Sequence, residues 1–204
     1  VLAPHVSDPH RRDAVEAAAA AAWRVVQECG VGLVRVKQDG PRLAFAAPPL
    51  RRAGPLDDAT LQQIGRALHL APGDVLHHQW VDNGPGWCAV MLRSAAEVVG
   101  LKPDFGAMGA LKLGVVAPQP AGHATQFEVR AFVPTLSVPE DPVTGSLNAG
   151  LAQWLIGAGL APERYVATQG TALGRDGRVF VERLGNDIWI GGDVVRCIEG
   201  RVTL

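Results

Sequence analysis

Cysteine is scarce in this 204-residue chain. Cys29, Cys88 and Cys197 are an odd number, far apart, with no C-x-x-C pair to hold zinc or a redox disulfide. Such usage fits a reducing compartment, so a cytoplasmic location is expected. Three small, buried apolar side chains are the plain expectation. A reactive Cys29, in Glu28-Cys29-Gly30, would need a base beside it. Charge of one sign is also lacking: 19 Lys and Arg stand against 20 Asp and Glu, for a net charge of −1. Neither nucleic acid nor an anionic membrane is therefore the expected main partner, since both favour a basic surface. Long hydrophobic runs are missing as well. The most apolar N-terminal stretch, Ala14 to Val26, is broken by Glu16 and Arg24 and falls short of the ~20 residues that a membrane span needs. The chain opens at Val1 and contains only Met91 and Met108, so a longer parent is expected.

Several motifs are missing too. There is no G-x-G-x-x-G after a strand, and the glycine-rich stretch Gly170 to Gly177 has no Walker lysine and lies between strands, where it reads as a hairpin. No H-x-x-x-H or H-E-x-x-H occurs, and His77 and His78 are adjacent, facing opposite sides of a strand. His5 and His10 lie in the irregular terminus, His69 ends a helix, and His123 reads as a loop residue. No metal is expected.

What the chain does have is apolar residues, at 48%, with 24 glycines and 15 prolines, which suits many short strands and tight turns. After an irregular start, an alanine-rich helix is expected over Asp13 to Trp23, capped by Asp13. Arg24–Glu28, Val31–Val36 and Arg42–Ala46 read as strands, the last two joined at Asp39-Gly40. Leu61, Ile64 and Leu68 mark a helix over Thr60–Leu70. Strands at Val75–Val81 and Trp87–Leu92, a short helix at Ala95–Leu101, and strands at Lys112–Val116 and Phe127–Val133 follow, then a loop from Pro134 to Pro142. Ser146 to Gly159 is a helix apolar on all sides, with only Asn148 and Gln153 polar, and must be buried on all sides. Strands at Tyr165–Thr168, Arg178–Glu182, Asp187–Ile190 and Val194–Ile198 complete the chain. The expected fold is α+β, a curved mixed sheet wrapped around one central apolar helix.

One segment carries chemistry: Pro139-Glu140-Asp141-Pro142-Val143-Thr144-Gly145-Ser146, running straight into that helix. A helix N-terminus leaves backbone N–H groups unpaired at the electropositive end of the macrodipole. Gly145 permits close approach, and Ser146 can cap the helix or donate to an anion. Asp141, tied by Pro142, can hydrogen-bond a substrate amine or hydroxyl, or move a proton. The plain alternative is that Asp141 and Ser146 only cap the helix.

Glu140-Asp141-Pro142-Val143-Thr144-Gly145-Ser146 resembles the signature of the PhzF (phenazine biosynthesis) family, related in fold to diaminopimelate epimerase. Phe127 to Pro134, Gln169-Gly170, Gly174-Arg175, Gly191-Gly192, Val26-Gln27-Glu28-Cys29-Gly30 and Asp82-Asn83-Gly84-Pro85 add to the likeness. It runs from about Val25 to the C-terminus. The resemblance implies two similar halves, each a curved sheet around a central helix, with the active site in the cleft between them. It also implies a cofactor-independent isomerisation that moves a proton from carbon to carbon in a small hydroxylated cyclic amino acid. On that basis Asp141 is the expected catalytic residue, contacting or protonating the substrate, and Gly145 and Ser146 are expected to bind its carboxylate.

The family's acid/base glutamate, in an early S-E-T-like segment, and the first half's G-H-P motif have no counterpart in this sequence. Glu28 follows Gln27 in a different segment, and Gly122-His123-Ala124 stands too late along the chain. This chain therefore resembles the C-terminal portion of the family. Residues 1–50, with 191–204 returning to them, are expected to be the remainder of the first half-domain, and 51–190 the second. The expected partners are a small carboxylate-bearing substrate, a second polypeptide carrying the N-terminal segment, and a second copy in a homodimer. The competing expectation is a catalytically incomplete small-acid binder or scaffold. A two-thiol epimerase would need a cysteine where Ser146 stands.

Overall fold

A computed structural model of the chain describes residues 24–136, 138–195 and 197–201. The expected helix over Asp13 to Trp23, with His5 and His10, lies outside the described residues. Alternating apolar and polar residues give strands as soon as the described chain begins. β1 (Arg24–Cys29), β2 (Gly32–Asp39) and β3 (Arg42–Ala46) form an antiparallel meander. Its second turn is the two residues Gly40-Pro41, and Gly40 supplies a φ of +59°. α1 (Asp58–Leu68) follows, with Asp57 accepting from the Thr60 amide as N-cap and Ile64, Ala67 and Leu68 on its buried face. β4 (His77–Trp80) and β5 (Trp87–Met91) make a hairpin.

Two short helices, α2 (Ala95–Gly100) and α3 (Phe105–Met108), then carry the chain across to β6 (Lys112–Pro118), which lies parallel to β5. A parallel pair needs such a crossover. β7 (Phe127–Phe132) returns antiparallel to β6, and β8 (Glu140–Asp141) adds a two-residue pairing with β7. α4 (Gly145–Gly157) is the second crossover, placing β9 (Arg164–Gln169) parallel to β7. β10 (Gly177–Leu184) and β11 (Asp187–Asp193) close the chain, and β11 pairs with β3. Among the described residues these strands form one mixed sheet, ordered β1-β2-β3-β11-β10-β9-β7-β6-β5-β4, with β8 paired to β7 off this path. The α+β class with a large mixed sheet is thus the observed architecture.

The central helix is α4. Its residues from Leu147 to Ala152, with Trp154, Leu155 and Ile156, are buried. They pack with Trp87, Ala89 and Met91 of β5, Val129 and Ala131 of β7, and Val179 and Val181 of β10. The opposite face of the same strands is also covered. Cys88, Val90, Leu113, Val115 and Phe132 pack against Ile64, Ala67 and Leu68 of α1, Val98 of α2 and Met108 of α3. β5 and the middle of β6 therefore read as continuous apolar runs, as strands buried on both faces commonly do, whereas β7 buries Glu128 and Arg130 among its apolar residues.

Three expectations change, and one helix is added. Val194, Val195, Cys197 and Ile198, the described residues of the expected strand at 194–198, form none: β11 ends at Asp193, and Val194, Val195 and Ile198 are 50%, 83% and 90% exposed. β-branched residues do not hold a strand without a neighbour to pair with. The loop from Pro134 to Pro142 contains β8, too short to show alternation. Phe105–Met108 is helical because Asp104 accepts from the Ala107 amide, and four residues carry no periodicity. Of the cysteines only Cys88 is buried, while Cys29 and Cys197 are exposed. The Gly170–Gly177 connection does join antiparallel strands, with a single 3₁₀ turn at Thr171–Leu173.

Candidate active site

Chain geometry brings four segments together at the N-terminus of α4. Asp141 ends β8, and the chain turns at Pro142-Val143 to reach Thr144, the N-cap residue. Gly170, at φ +93°, lets the end of β9 pass under this turn; a Cβ there would stand 2.8 Å from the Pro142 carbonyl oxygen. Gly177 is equally tight, since a Cβ would come 2.4 Å from Val143 Cγ2. The fourth segment is the loop between β4 and β5, tied by Asp82, whose Oδ1 accepts from the Gly84 and Gly86 amides at 2.7 and 2.6 Å.

Gln169, fully buried, is the hub beneath the turn. Its Oε1 accepts from the Thr144 amide at 3.1 Å and from Asn148 Nδ2 at 2.8 Å. Its Nε2 donates to the Asp141 carbonyl oxygen at 2.9 Å and to Thr144 Oγ1 at 3.0 Å. The Thr144 amide can only donate and the Asp141 carbonyl can only accept, which fixes the orientation of the Gln169 amide. Thr144 Oγ1 accepts from Gln169, so its own hydrogen goes to Asp141 Oδ2, at 2.6 Å.

The three expected residues lie within this arrangement. Asp141, Gly145 and Ser146 are all half-buried, hence reachable from solvent. Neither Asp141 nor Ser146 caps the helix. Thr144 is the N-cap, and it makes no side-chain cap hydrogen bond because its hydroxyl is turned to Asp141. Ser146 Oγ instead accepts from the Trp87 indole Nε1 at 3.0 Å, while Asn83 Nδ2 donates to the Ser146 carbonyl at 2.8 Å. Gly145 also lines a cleft of about 390 Å³ beside Val34, Val36, Phe45, Val143 and Ile190; Asp141 and Ser146 are not among its lining residues. A Cβ on Gly145 would meet Phe45 Cε1 at 3.2 Å.

Just before the site, Glu140 and Arg130 form a buried, two-pronged ion pair at 2.8 and 2.7 Å. Arg130 Nη1 also donates to the Val98 and Leu101 carbonyls at the end of α2. The strand that delivers Asp141 is thereby anchored to the far side of the sheet. Sequence reasoning singled out Asp141, Gly145 and Ser146 but missed Trp87, Asn83, Thr144, Asn148 and Gln169 as their supports. The signal for Asn148 was there: a buried amide on an all-apolar helix must have a partner.

The other candidates stand apart. Cys29 Sγ donates to Gly32 O across its own hairpin, at 3.4 Å. Burial pushes the Cys88 thiol up to about 12, which leaves it inert as a nucleophile. His78 Nδ1 accepts from the Leu56 amide, and His123 bonds Thr125 in its loop. Among the described residues no group of three or more His, Cys, Asp or Glu side chains could hold a metal ion. Nor is any helix there long and apolar enough to cross a membrane.

The model of one protein family, described as phenazine biosynthesis-like protein, matches residues 13–200. The chain belongs to this PhzC-PhzF family. The match starts earlier than Val25, so the alanine-rich segment is part of it. Antisense-enhancing sequence 1 of Schizosaccharomyces pombe is 26% identical over 198 residues, covering 87% of this chain and 66% of that protein. A protein of Escherichia coli O157:H7 named "Uncharacterized isomerase YddE" is 30% identical over 156 residues, covering 70% and 52%. A crystal structure of a PhzF-family phenazine biosynthesis protein from Enterococcus faecalis shares the fold, with TM-score 0.64 and 23% identity over 85% of this chain and 62% of that one. This PhzF-family chain thus spans about half to two thirds of the length of these three proteins.

Proposed function

We propose that this chain supplies the carboxylate-binding half of a PhzF-like isomerase or epimerase, which shifts a proton on a small carboxylate-bearing, amino acid-like substrate without a cofactor. The observation that carries the reading is the uncapped start of α4. Thr144 leaves the helix amides without a side-chain cap, next to a half-buried carboxylate and a hydroxyl. Fixed donors hold the substrate carboxylate at Gly145 and Ser146, and Asp141 stands ready to give or take a proton. Isomerase-named relatives and the family match support this. The division near residue 50, a cytoplasmic location, assembly as a homodimer and a second polypeptide carrying the missing glutamate belong to the same proposal.

The test is exchange with solvent. Small amino and hydroxy acids are incubated with the protein in deuterium oxide and followed by proton NMR. Loss of one C–H signal, abolished by Asp141→Asn, is the expected result. If no candidate exchanges, and native mass spectrometry shows only the 204-residue chain, turnover is discarded. A second reading, binding of a small acid without turnover, is favoured by one feature: Asp141 Oδ2 is already engaged by Thr144, and no counterpart of the family's glutamate stands in this sequence. Saturable binding without exchange would establish it.

A further inference from the structure

Trp87 touches the candidate site with a side chain whose chemistry permits a single hydrogen-bond direction. An indole N–H donates and never accepts. Its 3.0 Å contact to Ser146 Oγ therefore makes the hydroxyl oxygen an acceptor. The Ser146 hydrogen has no protein acceptor among the described residues, and the Ser146 carbonyl is occupied by Asn83. Trp87 cannot swing away: it is 3% exposed, lies on β5 within the core around α4, and its carbonyl holds the Val81 amide at 3.0 Å.

We propose that Trp87 is a positioning residue that commits Ser146 to donating its hydroxyl hydrogen to a bound carboxylate. The role rests on the carboxylate-binding reading above. A serine left to itself can rotate, donate back to a backbone carbonyl three or four residues earlier, here in the turn before α4, and so compete with the ligand. The indole removes that freedom in advance, so the hydroxyl pays no reorientation cost when the anion arrives. It also makes the hydroxyl a better donor, since hydrogen bonds in a chain polarise one another.

The test uses the full chain, labelled with ¹⁵N, and acetate as the probe. Titration is followed at the Gly145 and Ser146 amides, and the Trp87 indole N–H resonance is watched separately. Trp87→Phe and Ser146→Ala are each expected to weaken acetate binding by about three- to tenfold, the scale of one hydrogen bond. The double variant should be no weaker than Ser146→Ala alone, because Trp87 acts through Ser146. Additive losses would show that Trp87 contributes only packing and would overturn the proposal. Ser146→Ala should also shift the indole N–H resonance in ligand-free protein. An unmoved resonance overturns the proposal even if Trp87→Phe fails to fold. A parent chain that shows no saturable acetate shift, with the indole resonance still responding to Ser146→Ala, refutes the carboxylate reading and leaves the hydrogen bond standing as structure alone.

Discussion

Single side chains decide whether the turn before α4 keeps its shape, and Gln169 decides most. It satisfies the Thr144 amide, the Asn148 side chain, the Asp141 carbonyl and the Thr144 hydroxyl at once. Gln169→Leu preserves much of the volume and strands several of these groups in the core. We expect it to lower stability by about 3 kcal/mol, since each buried group left unpaired costs about 1–3 kcal/mol; urea denaturation checks this, and an unchanged midpoint would sink the hub role. Glu128 gives a pH signature. Burial raises its pKa above the usual carboxylate value, opposed by Thr171 and by the nearby Arg178, His123 and Arg130 charges. Its contribution is thus fully present below the unfolded value of about pH 4 and is lost as pH rises through the raised folded value. Glu128→Gln removes that loss. Its stability relative to the parent should grow from acid toward neutral pH, and parallel pH curves would disprove it. At this scale the sequence is least legible, because Gln169 is 28 residues from Asp141 and nothing local announces their bond.

Elements were more legible, for physical reasons that differ between them. α4 betrayed its burial because apolar residues surround its axis, and α1 showed one apolar face with an acidic cap. Strands buried on one face alternate and are readily found. Val194 and Val195 favour a strand by type, yet lie beyond the end of β11, since pairing rather than propensity makes a strand. What sequence could not reveal is how closely α4 is seated. A Cβ on Gly150 would lie 2.2 Å from the Val81 carbonyl oxygen, a backbone atom that cannot swing aside. Gly150→Ala gains roughly 1 kcal/mol of helix propensity and loses about 3 kcal/mol to overpacking. The net of about 2 kcal/mol should lower Tm by about 4–8 °C for a chain of this size. A variant melting at or above the parent would mean that the helix has room to move outward.

The whole molecule is one sheet whose two ends are dressed differently. From β11 through β5 the inner face is filled by α4, whereas Val34 and Val36 of β2 and Phe45 of β3 line an open cleft at the β1–β3 end. Apolar surface of this kind favours association, and among the described residues β1 is the terminal strand of the sheet at that end. We expect the chain to associate as its concentration rises, which sedimentation velocity would detect; a monomer at every concentration would contradict it. The α+β class and the central helix were readable from sequence. The order of strands was not, because it depends on pairings such as β3 with β11 that no local pattern encodes.

That pairing has a consequence during synthesis. Ala46 lies opposite Trp189, about 140 residues further along the chain. At the ~5–20 residues per second of translation, the outer edge of β3 waits roughly 7–30 s before its neighbour exists. Through that interval the nascent meander carries an unpaired β3 edge. A chaperone that shields this edge on the ribosome is expected to raise the yield of folded protein.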